Sequence, residues 1–466
     1  MPTPQASTLQ QKLTQLMQEL QLEDMPAGGC VVVYQDGQLI AQTCIGEATP
    51  YQAWDKQTLS LNFSTGKGVL VTLIHVLVSN QLLDYQQRIA HYWPKFAANG
   101  KQDIRLIDVL MHRSGLFNIQ QITHSADDMI HWELMLERIE QLAPQATFND
   151  NAESAYSALV SGWVLGGLIE KVTAMPLNEA LAHYLTEPLG IADSVYFGVP
   201  ADKVDQVATL VKNFDDFDEL MRLPVASEAD GADINSEQKT AKRRSTKPKL
   251  RLDSEEVLKV YQSLPSYGCW QQAQGASQSQ DDIKPNTQSL TTADIAKLYL
   301  DMSHIKIQDF KYALVPAGRS GFNYYTAEAL MAKIPAANNV ASAQALAVIY
   351  AMLANKGQWQ SKQLIRSEVF DTLSKIYIKG ADAIMPATHP NSMQWRLGYH
   401  RLFSRCQDAD ILQHTFGHMG YNGSVAWCDL ERNMAVAYVH NYDVTMTTDI
   451  RQFAIIEAIL AWSEQF

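Results

Sequence analysis

A serine that stands three residues before a lysine is the feature of this sequence best suited to chemistry. Ser64 is followed by Thr-Gly and then by Lys67, and an almost unbroken apolar run continues from 69 to 78. This run predicts a buried helix, which would place the hydroxyl and the amine one turn apart on the same face. Because a desolvated lysine can take the proton of a hydroxyl, the pair could act as a nucleophile and its base.

The same four residues also fit a simpler interpretation. A serine commonly caps the start of a helix, and a lysine in the first turn is commonly solvated. If the pair does act in catalysis, the free backbone N–H groups at the start of the helix could stabilise an oxyanion. Other parts of the chain must decide between the two.

Elements that could position the pair lie at both ends of the chain. The Asp36-Gly37 dipeptide joins two strand-like runs and predicts a β-hairpin. Other runs predict helices over 9–22 and 447–464, strands over 424–429 and 434–441, and mainly helical structure over 85–222. This order predicts one domain built from residues 1–84 and 335–466, with a mainly helical domain, 85–334, inserted.

A shift in composition marks residues 224–290. The run 239–251 holds seven Lys or Arg and no acidic residue, and 271–280 is rich in Gln and Ser. These features predict a partly disordered insertion, whose basic run is either a solvated loop or a contact for an anionic partner. We expect removal of 229–284 to leave stability and activity largely unchanged.

Composition limits the partners. The chain has 466 residues, of which 46% are hydrophobic, and a formal net charge of −13, which argues against nucleic-acid binding. The sequence shows no leader pattern and no membrane span, so we expect a cytoplasmic protein without a membrane partner, or a periplasmic one if the N-terminus has been trimmed. The cysteines lack metal-ligand spacing and predict reduced, mostly buried thiols, at Cys30, Cys44, Cys269, Cys406 and Cys428.

Five stretches together resemble the serine β-lactamase and DD-peptidase superfamily. They are closest to its class C β-lactamase branch and to the family VIII carboxylesterases within it. The stretches are Ser-Thr-Gly-Lys at 64–67, His-Arg-Ser-Gly-Leu at 112–116, Tyr-Ser-Ala at 156–158 with Gly-Trp at 162–163, Ile-Pro-Ala-Ala-Asn at 334–338, and Phe-Gly-His-Met-Gly at 416–420. Their order and spacing, rather than any one of them, carry the resemblance.

The resemblance implies an α+β fold in which an antiparallel sheet, flanked by helices, is built from both chain ends. It implies that Ser64 is the nucleophile and that Lys67 and Tyr156 share its proton, with either one as the general base. It assigns substrate binding to the strand of His418, Gly420 and Tyr421, where the backbone N–H groups of Tyr421 and Ser64 would form an oxyanion hole. Neither a metal nor an organic cofactor is implied.

Two residues depart from the β-lactamase pattern. Ala158 stands where those enzymes usually have Asn, and His418 stands where they usually have Lys. The first change removes a grip on a β-lactam amide, and the second weakens the charge that would hold a substrate carboxylate, since His is only partly charged at neutral pH. Both changes favour neutral esters as substrates.

We therefore predict a serine hydrolase that acts through an acyl-enzyme as an esterase on short-chain esters, with a small-molecule ester or amide as its partner. The alternatives are a β-lactamase, a D-amino-acid peptidase or penicillin-binding protein, and a silent binding scaffold of the same fold. Three individual residues also have a simpler, non-catalytic interpretation. Tyr156 could be a packed core residue, His418 could bond only to backbone, and His112 could cap helix carbonyls.

Overall fold

A computed structural model describes residues 4–21, 27–145, 152–212, 254–277, 289–301, 305–318, 321–385 and 393–463. Its helices are α1 (Pro4–Glu19), α2 (Thr65–Ser79), α3 (Ile89–Tyr92), α4 (Leu106–Leu110), α5 (Trp132–Gln141), α6 (Val160–Thr173), α7 (Leu177–Leu181), α8 (Glu187–Leu189), α9 (Glu255–Ser263), α10 (Tyr267–Ser277), α11 (Thr292–Tyr299), α12 (Ile307–Leu314), α13 (Ala327–Met331), α14 (Ala343–Ala354), α15 (Ser367–Leu373), α16 (Ala409–Leu412) and α17 (Arg451–Ser463). None of these described helices is long and apolar enough to cross a bilayer.

The strands are mostly short. They are β1 (Gly28–Gln35), β2 (Gln38–Thr49), β3 (Gln52–Ala53), β4 (Ser60–Leu61), β5 (Ala152–Ser154), β6 (Val195–Phe197), β7 (Val211–Lys212), β8 (Asn339–Ala341), β9 (Gln358–Trp359), β10 (Lys362–Gln363), β11 (Ala381–Asp382), β12 (Thr415–Met419), β13 (Val425–Asp429), β14 (Met434–His440) and β15 (Tyr442–Asp443). Six of them form one antiparallel sheet in the order β12-β13-β14-β1-β2-β3.

The main sheet combines strands from both chain ends, as predicted. The hairpin of β1 and β2 turns at Asp36 and Gly37, whose φ angles of 50° and 71° suit a turn that needs positive φ twice. All residues of β14 are buried, and so are all but the last of β1, because α14 packs on both strands. The α+β fold is confirmed.

Helix α2 is the buried helix that the apolar run predicts. Every one of its residues, 65–79, is buried, and the helix packs against α6, α14 and β12. A side chain at Gly68 would meet the Tyr350 hydroxyl of α14 at 2.0 Å, so glycine permits the close approach of these two helices. The start of α2 is therefore held in place on several sides.

Part of the insertion is packed, so our expectation about residues 224–290 is wrong where the structure describes them. Residues 254–277 form α9 and α10, with Val257, Tyr261 and Trp270 buried. The Trp270 indole donates a hydrogen bond to the Tyr299 hydroxyl at 2.6 Å, which donates to Glu457 of α17 at 2.6 Å. The high Gln and Ser content of this stretch hides its buried face from sequence-based prediction. The stretches 213–253, including the basic run, and 278–288 lie outside the described residues.

The prediction of reduced thiols is also wrong for four of the five cysteines. Cys30 and Cys44 face each other across β1 and β2 and form a disulfide, and Cys269 of α10 forms a second one with Cys406. Cys428 is a free, buried thiol. Residues 137 positions apart meet through tertiary packing, which the sequence spacing does not reveal. Since disulfides are rare in the cytosol, the cysteines no longer support a cytoplasmic location.

Candidate active site

Ser64 occupies the N-cap position of α2, at the end of a tightly held turn. The preceding Phe63 has a φ of 47°, a left-handed conformation that costs a non-glycine residue about 1–3 kcal/mol. Asn62 anchors the turn to β8, because its N–H donates to Asn339 and its side-chain amide donates to Ala341. Tertiary contacts thus fix the backbone on which the serine is presented.

Lys67 lies beside the serine. Its Nζ is 2.8 Å from Ser64 Oγ and donates a hydrogen bond to the Ala336 carbonyl at 2.6 Å. The side chain is buried, and burial lowers the pKa of the Lys67 ammonium well below its ordinary value. No carboxylate in the described chain forms an ion pair with it. The neutral amine, which can accept a proton, is therefore favoured.

The Ala336 carbonyl reaches Lys67 because α6 carries a glycine at Gly162. A Cβ at that position would lie 2.5 Å from Ala336 N and 2.7 Å from Ala336 Cβ. Asn338 braces the same loop, since its side chain accepts from Ile334 N–H and donates to Ala329 O. The stretch 334–338 therefore holds the lysine side chain in place through the Ala336 carbonyl. The helix that follows this stretch, α14, begins at residue 343.

Tyr156 completes a three-residue contact. Its hydroxyl interacts with the Ser64 side chain, and Lys67 Nζ lies 5.1 Å from the centre of its ring. The Trp395 ring stacks on the phenol with centroids 5.5 Å apart and planes 16° from parallel. Burial raises the pKa of the Tyr156 phenol, the interaction with Ser64 lowers it in part, and the Asp382 carboxylate raises it. The phenol is thus protonated at neutral pH.

His112 supports Tyr156 and does not cap helix carbonyls with its ring. Its Nδ1 accepts a hydrogen bond from Ser157 N–H at 3.2 Å, and its carbonyl accepts one from Ala155 N–H at 2.9 Å. The ring packs edge-on against Tyr156, with centroids 5.1 Å apart. Burial lowers the pKa of His112 to about 3, so it is neutral. Its predicted structural role stands, but its partner differs.

Strand β12 brings Gly420 and Tyr421 against the start of α2. A Cβ at Gly420 would lie 2.4 Å from the Asn62 carbonyl, so only glycine fits there. The Thr65 hydroxyl donates to Ser424 O at 2.7 Å and ties the β12–β13 turn to the helix. The backbone N–H groups of Ser64 and Tyr421 donate to no acceptor among the described residues. Both are available to an oxyanion.

His418 lies beneath Tyr156 and is only 2% exposed. Its Nδ1 is 3.2 Å from Met419 O, and its Nε2 has no partner in the described chain. Burial lowers the pKa of His418 far below its ordinary value, and His400 and Lys67 lower it further. The ring is therefore neutral, and His418 supplies no positive charge beside Tyr156.

Aromatic side chains border the turn that carries the serine. The Phe63 ring packs edge-on against Tyr421 and Tyr324, at centroid distances of 6.1 and 5.4 Å. Tyr421 is 45% exposed, and Tyr325, 38% exposed, donates its hydroxyl hydrogen to Asp443. The surface next to the candidate oxyanion donors is therefore lined by aromatic rings. Within the described ranges, no group of three His, Cys, Asp or Glu could hold a metal ion.

The structure brings Ser64, Lys67 and Tyr156 into contact, with Gly420 and Tyr421 beside them. Sequence reasoning missed Trp395 and Asp382, which surround Tyr156. Neither residue belongs to a recognisable sequence motif, and both lie more than 220 positions after the tyrosine in the chain. Only the folded chain shows their roles.

The architecture is that of a β-lactamase-fold hydrolase. Residues 9–460 match the profile of the family described as Beta-lactamase, and the chain belongs to that family. It is 26% identical over 420 residues to the Esterase/beta-lactamase LipL of Mycobacterium tuberculosis (strain ATCC 25618 / H37Rv), an alignment covering 89% of this chain and 77% of LipL.

Solved structures share the fold along the whole chain. A family VIII carboxylesterase superposes with a TM-score of 0.67 at 19% identity, covering 99% of this chain and 98% of its own. A penicillin-binding protein homolog from Caulobacter crescentus gives a TM-score of 0.66 at 20% identity, with coverage of 99% and 98%. At these identities the likeness establishes the fold alone.

Proposed function

We propose that this hydrolase is a serine esterase that forms an acyl-enzyme on Ser64. The observation that carries the proposal is the 2.8 Å contact of Ser64 Oγ with Lys67 Nζ beside the Tyr156 phenol, whose pKa the Ser64 side chain lowers in part. A hydroxyl with a base on one side and a proton donor on the other can lose its proton and return it later.

The opposite pKa directions of the two neighbours support Lys67 as the general base. Burial lowers the pKa of Lys67, so its amine is free to accept the Ser64 proton. Burial raises the pKa of Tyr156, so its phenol keeps a proton that it can pass to the leaving alkoxide. The Lys67 ammonium then gives the proton that it took from Ser64 to the tyrosinate, so that both neighbours regain their starting states. Water repeats the sequence and releases the acid.

The unpaired N–H groups of Ser64 and Tyr421 support an oxyanion hole at the attacked carbonyl. They are backbone donors on a helix start and a strand end, and both elements are packed against each other through Thr65 and Ser424. Such donors cost no reorganisation when charge develops, and each contributes about 2.7–4 kcal/mol to the transition state.

The surroundings of the site favour neutral, apolar esters. His418 is uncharged, so the strand offers no cation to a substrate carboxylate. Ala158 is buried and has no polar group for a substrate amide. The rings of Tyr421 and Phe63 border the site and suit the apolar part of an ester. A β-lactam needs both of these missing contacts, one to its amide and one to its carboxylate.

The test is a parallel rate measurement on nitrophenyl butyrate and on a chromogenic cephalosporin, with Ser64→Ala as the matched control. We expect the ester to be turned over far faster, and the control to lose turnover by several orders of magnitude. Equal rates on both substrates would favour the β-lactamase alternative, which the name of LipL also raises.

The silent-scaffold alternative has its own readout. A fluorophosphonate probe should label the intact protein on Ser64 and leave Ser64→Ala unlabelled. If neither the probe nor a fluorescent penicillin labels the folded protein, the fold serves binding rather than catalysis, and the esterase proposal fails.

A further inference from the structure

The buried carboxylate of Asp382 accepts an unusual number of hydrogen bonds close to Tyr156. It is 8% exposed, and no Lys or Arg of the described chain pairs with it. Its Oδ1 accepts the backbone N–H groups of Tyr156 (3.1 Å), Ile384 (2.9 Å) and Met385 (2.9 Å), and its Oδ2 accepts the Ser154 hydroxyl (2.7 Å) and the Trp395 indole N–H (3.1 Å).

Two of these donors govern the position of the Tyr156 phenol. The N–H of Tyr156 itself fixes the backbone from which the side chain projects. The indole of Trp395 fixes the ring that stacks on the phenol, 5.5 Å away and nearly parallel. One carboxylate therefore holds the tyrosine from its main chain and from one face of its ring.

The pairing of two short strands explains how Asp382 reaches this place. Strand β11 runs parallel to β5 with Asp382 opposite Ser154, and Ala383 N–H donates to Ser154 O at 2.8 Å. The segment that leads into Tyr156 is thus attached to a segment 226 residues later in the chain. All five donors require an acceptor, so an amide at this position would turn an N–H group toward at least one of them.

We propose that Asp382 is a positioning residue that acts on catalysis through Tyr156. It makes no hydrogen bond to Ser64 or Lys67 among the described residues, so the nucleophile and its base do not depend on it directly. The proposal rests on the role that the proposed function gives to Tyr156. An acceptor that only stabilised the fold would affect catalysis equally with or without the phenol hydroxyl.

A double-mutant cycle on kcat tests this difference. Asp382→Asn should lower kcat for nitrophenyl butyrate at least tenfold, with KM changed less than threefold. In a Tyr156→Phe background the same substitution should change kcat less than twofold, because the group that it positions is already gone. Where turnover is too slow to measure, the rate of fluorophosphonate labelling of Ser64 is compared among the same four proteins.

Two further variants make the result decisive. Trp395→Phe keeps an aromatic ring, although a smaller one, and removes the N–H that Asp382 accepts, so it replaces Asp382→Asn in the cycle if that variant does not fold. Asp429→Asn is the control, a buried carboxylate at the far end of β13 that accepts from Glu431 N–H and Arg432 N–H and, unlike Asp382, also pairs with the Arg432 guanidinium at 2.7 Å. Any loss of kcat in the control should be equal in both backgrounds.

Equal losses for Asp382→Asn in the two backgrounds, or no loss at all, would overturn the positioning role. Failure of the proposed function looks different. In that case Ser64→Ala keeps its turnover, or Tyr156→Phe alone leaves kcat unchanged, whatever Asp382→Asn does.

Discussion

Replacing Gly162 by alanine should slow catalysis without contact between the new methyl group and the substrate. The added Cβ would lie 2.5 Å from Ala336 N and 2.7 Å from Ala336 Cβ, whereas ordinary contacts begin at 3.4 Å. The loop must therefore retreat by about 1 Å. A shift of that size directed away from Lys67 would lengthen its hydrogen bond to the Ala336 carbonyl from 2.6 Å to about 3.6 Å, which is beyond its useful range.

The size of the effect follows from that lost bond. Leaving a buried polar group without its partner costs about 1–3 kcal/mol, which corresponds to a loss in kcat of about fivefold to about 150-fold. Crowding in a packed interior costs the fold itself about 1–3 kcal/mol. We therefore expect Gly162→Ala to lower both kcat and the melting temperature, while KM changes little.

Gly275→Ala is the matched control for this experiment. Gly275 lies on α10, where a Cβ would meet no atom within 4 Å. This variant should keep full turnover and gain up to about 1 kcal/mol from helix propensity. The reasoning is refuted if Gly162→Ala melts lower but keeps the kcat of the unmodified protein, because the Ala336 carbonyl would then not be needed to hold Lys67.

Three other predictions concern the fold. Burial lowers the pKa of His75, His112 and His440 from the ordinary value to about 3, so the unfolded chain binds their protons first as pH falls below 6.5. Stability should then fall by up to about 1.4 kcal/mol per pH unit for each, and a urea midpoint that stays constant from pH 8 to pH 5 would contradict this. Trp270→Ala should cost about 3–5 kcal/mol of unfolding free energy, measured by urea denaturation, because its fully buried ring holds α10 in place; a loss below about 1 kcal/mol would mean that the ring does not anchor the helix. Thiol titration of the unfolded, unreduced chain should find one free thiol, Cys428, and a count of five would show that the disulfides do not form.

Local patterns predicted the elements well because their physical causes are local. The Asp36-Gly37 turn and the apolar run after Ser64 each specify a hairpin or a buried helix from adjacent residues. The spacing of Ser64 and Lys67 on one helical turn likewise needs no tertiary information. The same holds for strands β13 and β14, whose apolar runs end close to the predicted boundaries.

Features that depend on distant contacts could not be predicted in this way. The neutral state of His418 comes from burial beneath Tyr156, which no neighbour in sequence indicates. The contacts of Trp395 and Asp382 with Tyr156 join residues that are more than 220 positions apart in the sequence. The packing of Trp270 was hidden within a stretch whose Gln and Ser content is typical of disorder.

The central claim is that Ser64 carries the acyl group during turnover. Intact-protein mass spectrometry after a rapid acid quench, with nitrophenyl butyrate as substrate, tests it most directly. We predict one butyryl group per chain, located by peptide mapping on the peptide that holds Ser64 and absent from Ser64→Ala. Turnover at an undiminished rate in Ser64→Ala, or an acyl group on another residue, would contradict it.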